Sequence, residues 1–257
     1  MTQKYRCSLL LLVATIGTSS VARAQEVSFP QSPCGTAQSL SMKPVFTDAL
    51  SDLKRLGSRS SLGILAVGGI AAAGAHRVDR QVTQSSFIST ESFRDTFQPG
   101  ATIGGTPFAL GAAFATYELG RVFHKPCAAR VGADLIQAQL LAEVLTMGLK
   151  EATNRTRPDG TARSFPSGHA TVAFASATVL QRHFGWKVGI PAYAVASYVA
   201  ASRVQMQRHY LSDVAFGAAL GIVAGRTIPM GQSHALTVGP TTTEHGGAGV
   251  ALTFGDK

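Results

Sequence analysis

The chain is short of charge. Asp, Glu, Lys and Arg make up 14% of its 257 residues, against the ~25% of an ordinary soluble domain. Hydrophobic residues make up 45%, and 27 residues are glycine. Such a composition suits helices packed closely together, in a soluble bundle or in a bilayer. Long apolar runs are missing too. Each internal run is at or below the ~20 residues that a membrane-crossing helix requires, and several carry Gln, Glu or His. Burial within a bundle and contact with lipid therefore both stay open. No arginine-rich run and no basic patch interleaved with aromatics occurs, which argues against nucleic acid as a partner. No His, Cys, Asp or Glu group has metal-ligand spacing, so neither a metal nor another cofactor is expected. There is no internal repeat, which excludes a solenoid.

Cysteine is scarce, with Cys7, Cys34 and Cys127 only. The first falls in a segment that reads as a secretory signal, residues 1–24. Lys4 and Arg6 give it a basic start, Leu9 to Gly17 an apolar stretch, and Ala22 and Ala24 the small residues of a cleavage site. The mature chain is expected to begin at Gln25 and to be periplasmic, or held at the inner membrane with its site facing the periplasm. In that oxidising compartment Cys34 and Cys127 are expected to form a disulfide. Removal of the signal leaves 20 basic residues against 14 acidic ones. A net charge of +6 suits phosphates or anionic lipid surfaces as partners.

What remains divides into a lead-in at 25–43, a helical domain at 44–230 and a tail at 231–257. Pro30, Pro33 and Gly35 make the lead-in extended. A short amphipathic helix is predicted from Val45 to Leu56. Uncharged runs follow at Ser60–Ala75 and Pro99–Tyr117, separated by a polar connection. Helices are predicted at Leu135–Lys150, at His169–His183, through Val188–Ser202 after a break at Phe184–Lys187, and from His209 to Gly225. In the tail, His234–Val238 and Gly249–Phe254 favour strands, which predicts a small hairpin. The fold class is all-α, a bundle of about six core helices with that hairpin appended.

Three short motifs carry chemistry. Lys150 and Arg157 lie seven positions apart with Pro158 following. Pro166, Ser167, Gly168 and His169 precede an apolar helix. Ser202, Arg203, His209 and Asp213 form the third. Singly each has an ordinary explanation: Arg-Pro ends helices, Ser167 can be a plain N-cap, and a His–Asp pair at i, i+4 can be a surface contact. Helix geometry brings them together. The chain runs out from His169 for about 15 residues and returns over a similar length, so at 1.5 Å per residue the legs nearly cancel. Three cations then meet a helix N-terminus, which is an oxyanion cage. Ser167 and Gly168 let hydroxyl and backbone N–H groups approach phosphate oxygens. His209, held by Asp213, can attack phosphorus, and His169 can protonate the departing oxygen. Lys150, Arg157 and Arg203 neutralise the transition state.

These motifs resemble the signature of the type 2 phosphatidic acid phosphatase family, K-x6-R-P, P-S-G-H and S-R-x5-H-x3-D, over roughly Leu135 to Arg226. That family shares its fold with vanadium haloperoxidases and class A acid phosphatases. The resemblance implies a helical bundle and metal-independent hydrolysis of a phosphomonoester or pyrophosphate through a phosphohistidine. It implies His209 as nucleophile, Asp213 as its orienting partner and His169 as general acid, with Lys150, Arg157, Ser167, Gly168 and Arg203 holding phosphate. The His209–Asp213 stretch and its Gly- and Ala-rich helix look more like the lipid-phosphatase branch, with a phosphorylated lipid as substrate and association with a membrane. A soluble periplasmic acid phosphatase acting on small phosphoesters is the alternative. A haloperoxidase, whose cage would hold vanadate, is a further one. Oligomeric state is not legible. N-terminal sequencing of the exported protein is expected to begin at Gln25; a start at Met1 or Thr2 would refute processing.

Overall fold

The structure is a computed structural model that describes residues 56–85 and 91–228, and the backbone course of 236–242 and 248–254. The expected signal at 1–24, the lead-in, the helix from Val45 and Cys34 lie outside the described residues. The described part is helical: α1 Arg59–His76, α2 Asp79–Thr83, α3 Glu91–Ile103, α4 Thr106–Val122, α5 Pro126–Thr153, α6 Gly168–Phe184, α7 Trp186–Gln205 and α8 Leu211–Thr227. The tail backbone runs as two antiparallel strands, β1 Leu236–Thr242 and β2 Ala248–Phe254.

Local chemistry sets the helix ends. Ser58 caps α1 by accepting a hydrogen bond from the Ser61 N–H at 3.2 Å. Pro126 opens α5 at a position where a missing N–H costs nothing. Asn154 ends it in the left-handed conformation, its N–H returned to the Lys150 carbonyl. Gly185, at φ 73°, is the whole connection between α6 and α7. Three boundaries differ from expectation. Helix α5 starts nine residues before Leu135, because Ala- and Gly-rich sequence gives no periodic signal where it begins. The uncharged run Pro99–Tyr117 is two helices, since the chain breaks at Gly104–Gly105 and Pro99 sits inside α3. His209 precedes α8 rather than opening it, because Tyr210 takes the N-cap position.

The core is small-residue packing. Ala129, Ala138, Ala142, Val172, Ala175, Val179 and Ala224 are buried in one cluster joining α5, α6 and α8. Cys127, in the first turn of α5, is disulfide-bonded. Helices α6 and α8 touch backbone to side chain along Gly217, Gly221 and Gly225 of α8; a Cβ on Gly221 would stand 2.3 Å from the Thr171 carbonyl oxygen. That approach makes the two helix starts adjacent: the Ser167 N–H donates to the Asp213 carbonyl at 3.1 Å. Helix α3 lies across α7, with Gly100 against Ser202 and Phe97 stacked on Tyr198 at 5.4 Å.

Replacing Gly221 by Ala is expected to destabilise the protein by about 1–3 kcal/mol through overpacking. Replacing Gly69, where a Cβ would meet nothing within 4 Å, is expected to stabilise it by about 0.5–1 kcal/mol. Melting temperatures of the two variants should move in opposite directions; a common direction would sink the α6–α8 packing described.

Candidate active site

The residues of the three motifs gather at one end of the bundle. Lys150 lies in the last turn of α5, Arg157 in the loop after it, Ser167 and His169 at the start of α6, Arg203 in the last turn of α7, and His209 and Asp213 at the start of α8. The loop 154–167 is folded onto the site from both sides. Its Arg163 carbonyl accepts from Lys150 Nζ at 2.7 Å and from Arg157 Nη2 at 3.5 Å.

Electrostatics mark this end as suited to an anion. Lys150 is pushed down to about 8, first by burial and then by Arg157. Arg203 is pushed down to about 10, by burial and then by Arg208 and Arg157. Burial, then Arg208, also lowers Arg157. Like charges have been drawn together where water is scarce, a cost that the interior repays only with a counter-charge. Meanwhile Arg157 Nε, Arg203 Nε and Ser167 Oγ are buried with no hydrogen-bond partner. Ser167 occupies the N-cap position of α6, yet its hydroxyl makes no capping bond. Its carbonyl is used, by Thr171; its hydroxyl is left for something else.

The two histidines differ in environment. His209 is 3% exposed, and its Nδ1 lies 2.7 Å from the Ser164 carbonyl oxygen. A carbonyl only accepts, so Nδ1 carries the proton and Nε2 keeps its lone pair. The nearest Asp213 oxygen is 3.6 Å from Nδ1, too far for a direct hydrogen bond. The direct hold on the ring that was expected from Asp213 is thus made by Ser164, because His209 sits outside the helix and not on its face. Asp213, fully buried, acts through charge. Its carboxyl stays below the ordinary range: burial pushes it up, but the adjacent His209 ring, hydrogen bonds from Ser164 Oγ and the Tyr210 N–H, and the Arg155 cation together outweigh that. Burial also holds His209 below the usual histidine range, opposed by Asp213 and reinforced by Lys150. His169 is half-buried and lowered to about 4, by burial, then by Arg203 and His209, with Lys150 adding to the effect; the Ala101 backbone, on α3, accepts from its ring and opposes it.

Sequence reading missed Ser164, Arg155 and Asp79. Ser164 supplies its main chain, which leaves no trace in residue type. Arg155 Nη1 reaches Asp213 Oδ1 at 2.7 Å. A loop carrying Arg155, Arg157 and Arg163 together was the available hint that one cation serves something other than the cage. Among the described residues, no group of three or more His, Cys, Asp or Glu side chains is placed to hold a metal ion.

Residues 132–233 match the family model of the PAP2 superfamily. Over 96 residues the chain is 41% identical to the lipid A 1-phosphatase of Porphyromonas gingivalis, covering 36% of this chain and 21% of that protein. Over 98 residues it is 35% identical to the decaprenylphosphoryl-5-phosphoribose phosphatase of Mycobacterium tuberculosis, covering 34% of this chain and 54% of that one. Among solved structures, Aquifex aeolicus LpxE is similar at a TM-score of 0.49 and 25% identity, with 58% of this chain and 91% of that chain covered. The chain thus spans about a fifth of the first relative and about half of the second.

In the free protein, His169 is expected to titrate near pH 4, and inorganic phosphate should raise that value by cancelling the cations around it. Its linkage to folding has a definite sign. Between the unfolded value of 6.5 and about 4 the unfolded chain binds a proton that the folded chain refuses, so stability falls as pH is lowered across that window. Imidazole NMR with and without phosphate checks the first point. A free-protein value at 6.5, or one indifferent to phosphate, would count against the site.

Proposed function

We propose that the chain is a phosphatase of the PAP2 type, whose family model residues 132–233 match, and that it hydrolyses a phosphomonoester carried on a lipid, through a phosphohistidine and without a metal. The observation that carries this is the cage itself: buried Arg203 and half-buried Lys150 and Arg157 beside an unpartnered serine hydroxyl at a helix N-terminus, with two histidines held below their usual range next to them. A phosphoryl group satisfies all of these at once.

The steps follow from the residues. The substrate's phosphate oxygens take bonds from Lys150, Arg157, Arg203, Ser167 Oγ and the first N–H groups of α6. His209 Nε2 attacks phosphorus; the P–N bond forms as the bond to the ester oxygen breaks. Asp213, 3.6 Å from Nδ1, offsets the charge that the ring gains. His169 gives its proton to the departing oxygen. Its low value in the empty site is no obstacle, because a bound dianion restores the protonated form. Water, deprotonated by His169, then attacks phosphorus and frees His209 and phosphate. The three cations spread the transition-state charge, which is the part a metal would otherwise take.

The lipid half of the reading rests on two supports. The relatives named above act on phosphorylated lipids by their names. The protein also exposes large apolar side chains, among them Ile70 on α1, Phe114 and Val122 on α4, Val144 on α5 and Ile190 on α7. Surfaces of that kind mark lipid or partner contacts. No described helix is long and apolar enough to cross a membrane; on this reading the exposed apolar side chains make the contact with lipid.

The test is phosphate release in chelator, from phosphatidic acid in micelles and from p-nitrophenyl phosphate. Wild type is expected to act on the lipid, and His209→Ala to lose about 10³-fold or more. A His209→Ala variant that keeps its activity would overturn the mechanism; release from the small ester alone would overturn the lipid assignment.

A further inference from the structure

Behind Asp213 lies a second charge pair that the mechanism does not use. Arg155 is bonded at both ends of its guanidinium. Nη1 donates to Asp213 Oδ1 and to Ser212 Oγ, each at 2.7 Å. Nη2 donates to Asp79 Oδ2 at 2.8 Å and lies 3.1 Å from His76 Nδ1. Its plane stands 4.3 Å over the Tyr210 ring. Asp79, at the junction of α1 and α2, is 2% exposed and also takes the Ser212 N–H at 3.0 Å and the Ser212 hydroxyl at 2.6 Å.

The same arginine holds the other side of the nucleophile. Its carbonyl accepts the Ser164 N–H at 2.7 Å. Ser164 in turn presents its carbonyl to His209 Nδ1 and its hydroxyl to Asp213 Oδ2. The path closes on itself: Arg155 main chain, Ser164, His209 with Asp213, Arg155 side chain. A surface ion pair would contribute little, but this guanidinium is three-quarters buried on two fully buried carboxylates. A fork with five donors fixes planes as well as distances.

We propose that Arg155, anchored by Asp79, is a positioning residue for His209: it locks Asp213 and Ser164 on either side of the imidazole, so that Nδ1 stays protonated and Nε2 stays aimed at phosphorus. This rests on His209 being the nucleophile. Arg155 touches neither phosphate nor the reacting atoms, so its loss should leave phosphate binding alone.

The experiment has two readouts. With Arg155→Gln, kcat is expected to fall about 10–100-fold, the loss typical when the partner that orients a reacting ligand is removed. KM and inhibition by inorganic phosphate should hold within about threefold. Arg155→Lys, which keeps the charge but loses the fork, should keep the melting temperature of wild type and still lose kcat, and it carries the test if the glutamine variant does not fold. Asp79→Asn should fall in the same direction by less. Independently of turnover, ¹⁵N NMR of His209 should show a single Nδ1–H tautomer in wild type and a mixture in Arg155→Lys. An unchanged kcat in both Arg155 variants, a loss confined to KM, or an unaltered tautomer would each overturn the inference. A wild type that releases phosphate from neither ester would overturn the proposed function instead, and the tautomer measurement would then decide this inference alone.

Discussion

Everything at the working end of the bundle follows from the crowding of Lys150, Arg157 and Arg203 where burial, and then neighbouring cations, disfavour their charge. Three cations do not gather in a half-dry pocket unaided. The fold forces them there by attaching each to a different rigid element: the end of α5, the loop pinned by Arg163, and the end of α7. The cost appears as depressed affinities for protons at Lys150 and Arg203, owed first to burial and then to neighbouring cations, Arg157 among them. A site strained in this way binds an anion by relief of repulsion as well as by contact, and it distinguishes strongly charged ligands from neutral ones.

Small residues make that concentration possible. The approach of α6 and α8 along Gly217 and Gly221 sets two helix starts side by side, so that Ser167 and Asp213 share a backbone hydrogen bond. With ordinary side chains at those glycines the helices would separate by the width of a methyl group or more. Ser167 and His169 would then no longer sit level with His209. Core packing and catalytic geometry are here one fact, since the glycines that look like a packing stripe also set the distance between the two histidines' elements.

The sequence was most legible where information is local. Fixed spacings inside motifs, and the near-equal legs of α6 and α7 about Gly185, were enough to place Lys150, Arg157, Ser167, His169, Arg203, His209 and Asp213 at one end. It was least legible where a residue's partner is distant in the chain or is main chain. Arg155 meets Asp213 58 positions away and Asp79 76 positions away. Ser164 acts on His209 through a carbonyl, which every residue possesses. Helix limits failed for a related reason: in runs of Ala and Gly there is no polar face to mark a start, so α5 and the α3–α4 break had no periodic trace. The placing of His209 outside α8 came from the competition of Tyr210 for the cap position, a choice made by tertiary contacts and not by propensity.

Under the mechanism proposed above, in which His209 attacks phosphorus, charge order explains why that ring stays neutral beside so many ions. From the α1 end inward the groups run Asp79, Arg155, Asp213, His209 and then the cations of the cage, so signs alternate up to the imidazole. An unscreened Asp213 would favour the imidazolium and remove the lone pair that attack requires. With Arg155 against its far oxygen, the carboxylate is partly neutralised while the ring is unreacted, yet it remains close enough to stabilise the positive charge that arises when Nε2 bonds to phosphorus. Cage cations on the opposite side push the same way, against a protonated ring in the empty site. Once the dianion is bound, that push is cancelled, and the energy of forming the imidazolium falls at the moment the reaction needs it. The readiness of His209 is therefore set first by burial and then by the balance of Asp213 against the Lys150 and Arg157 cations, with the Ser164 carbonyl fixing which ring nitrogen holds the proton.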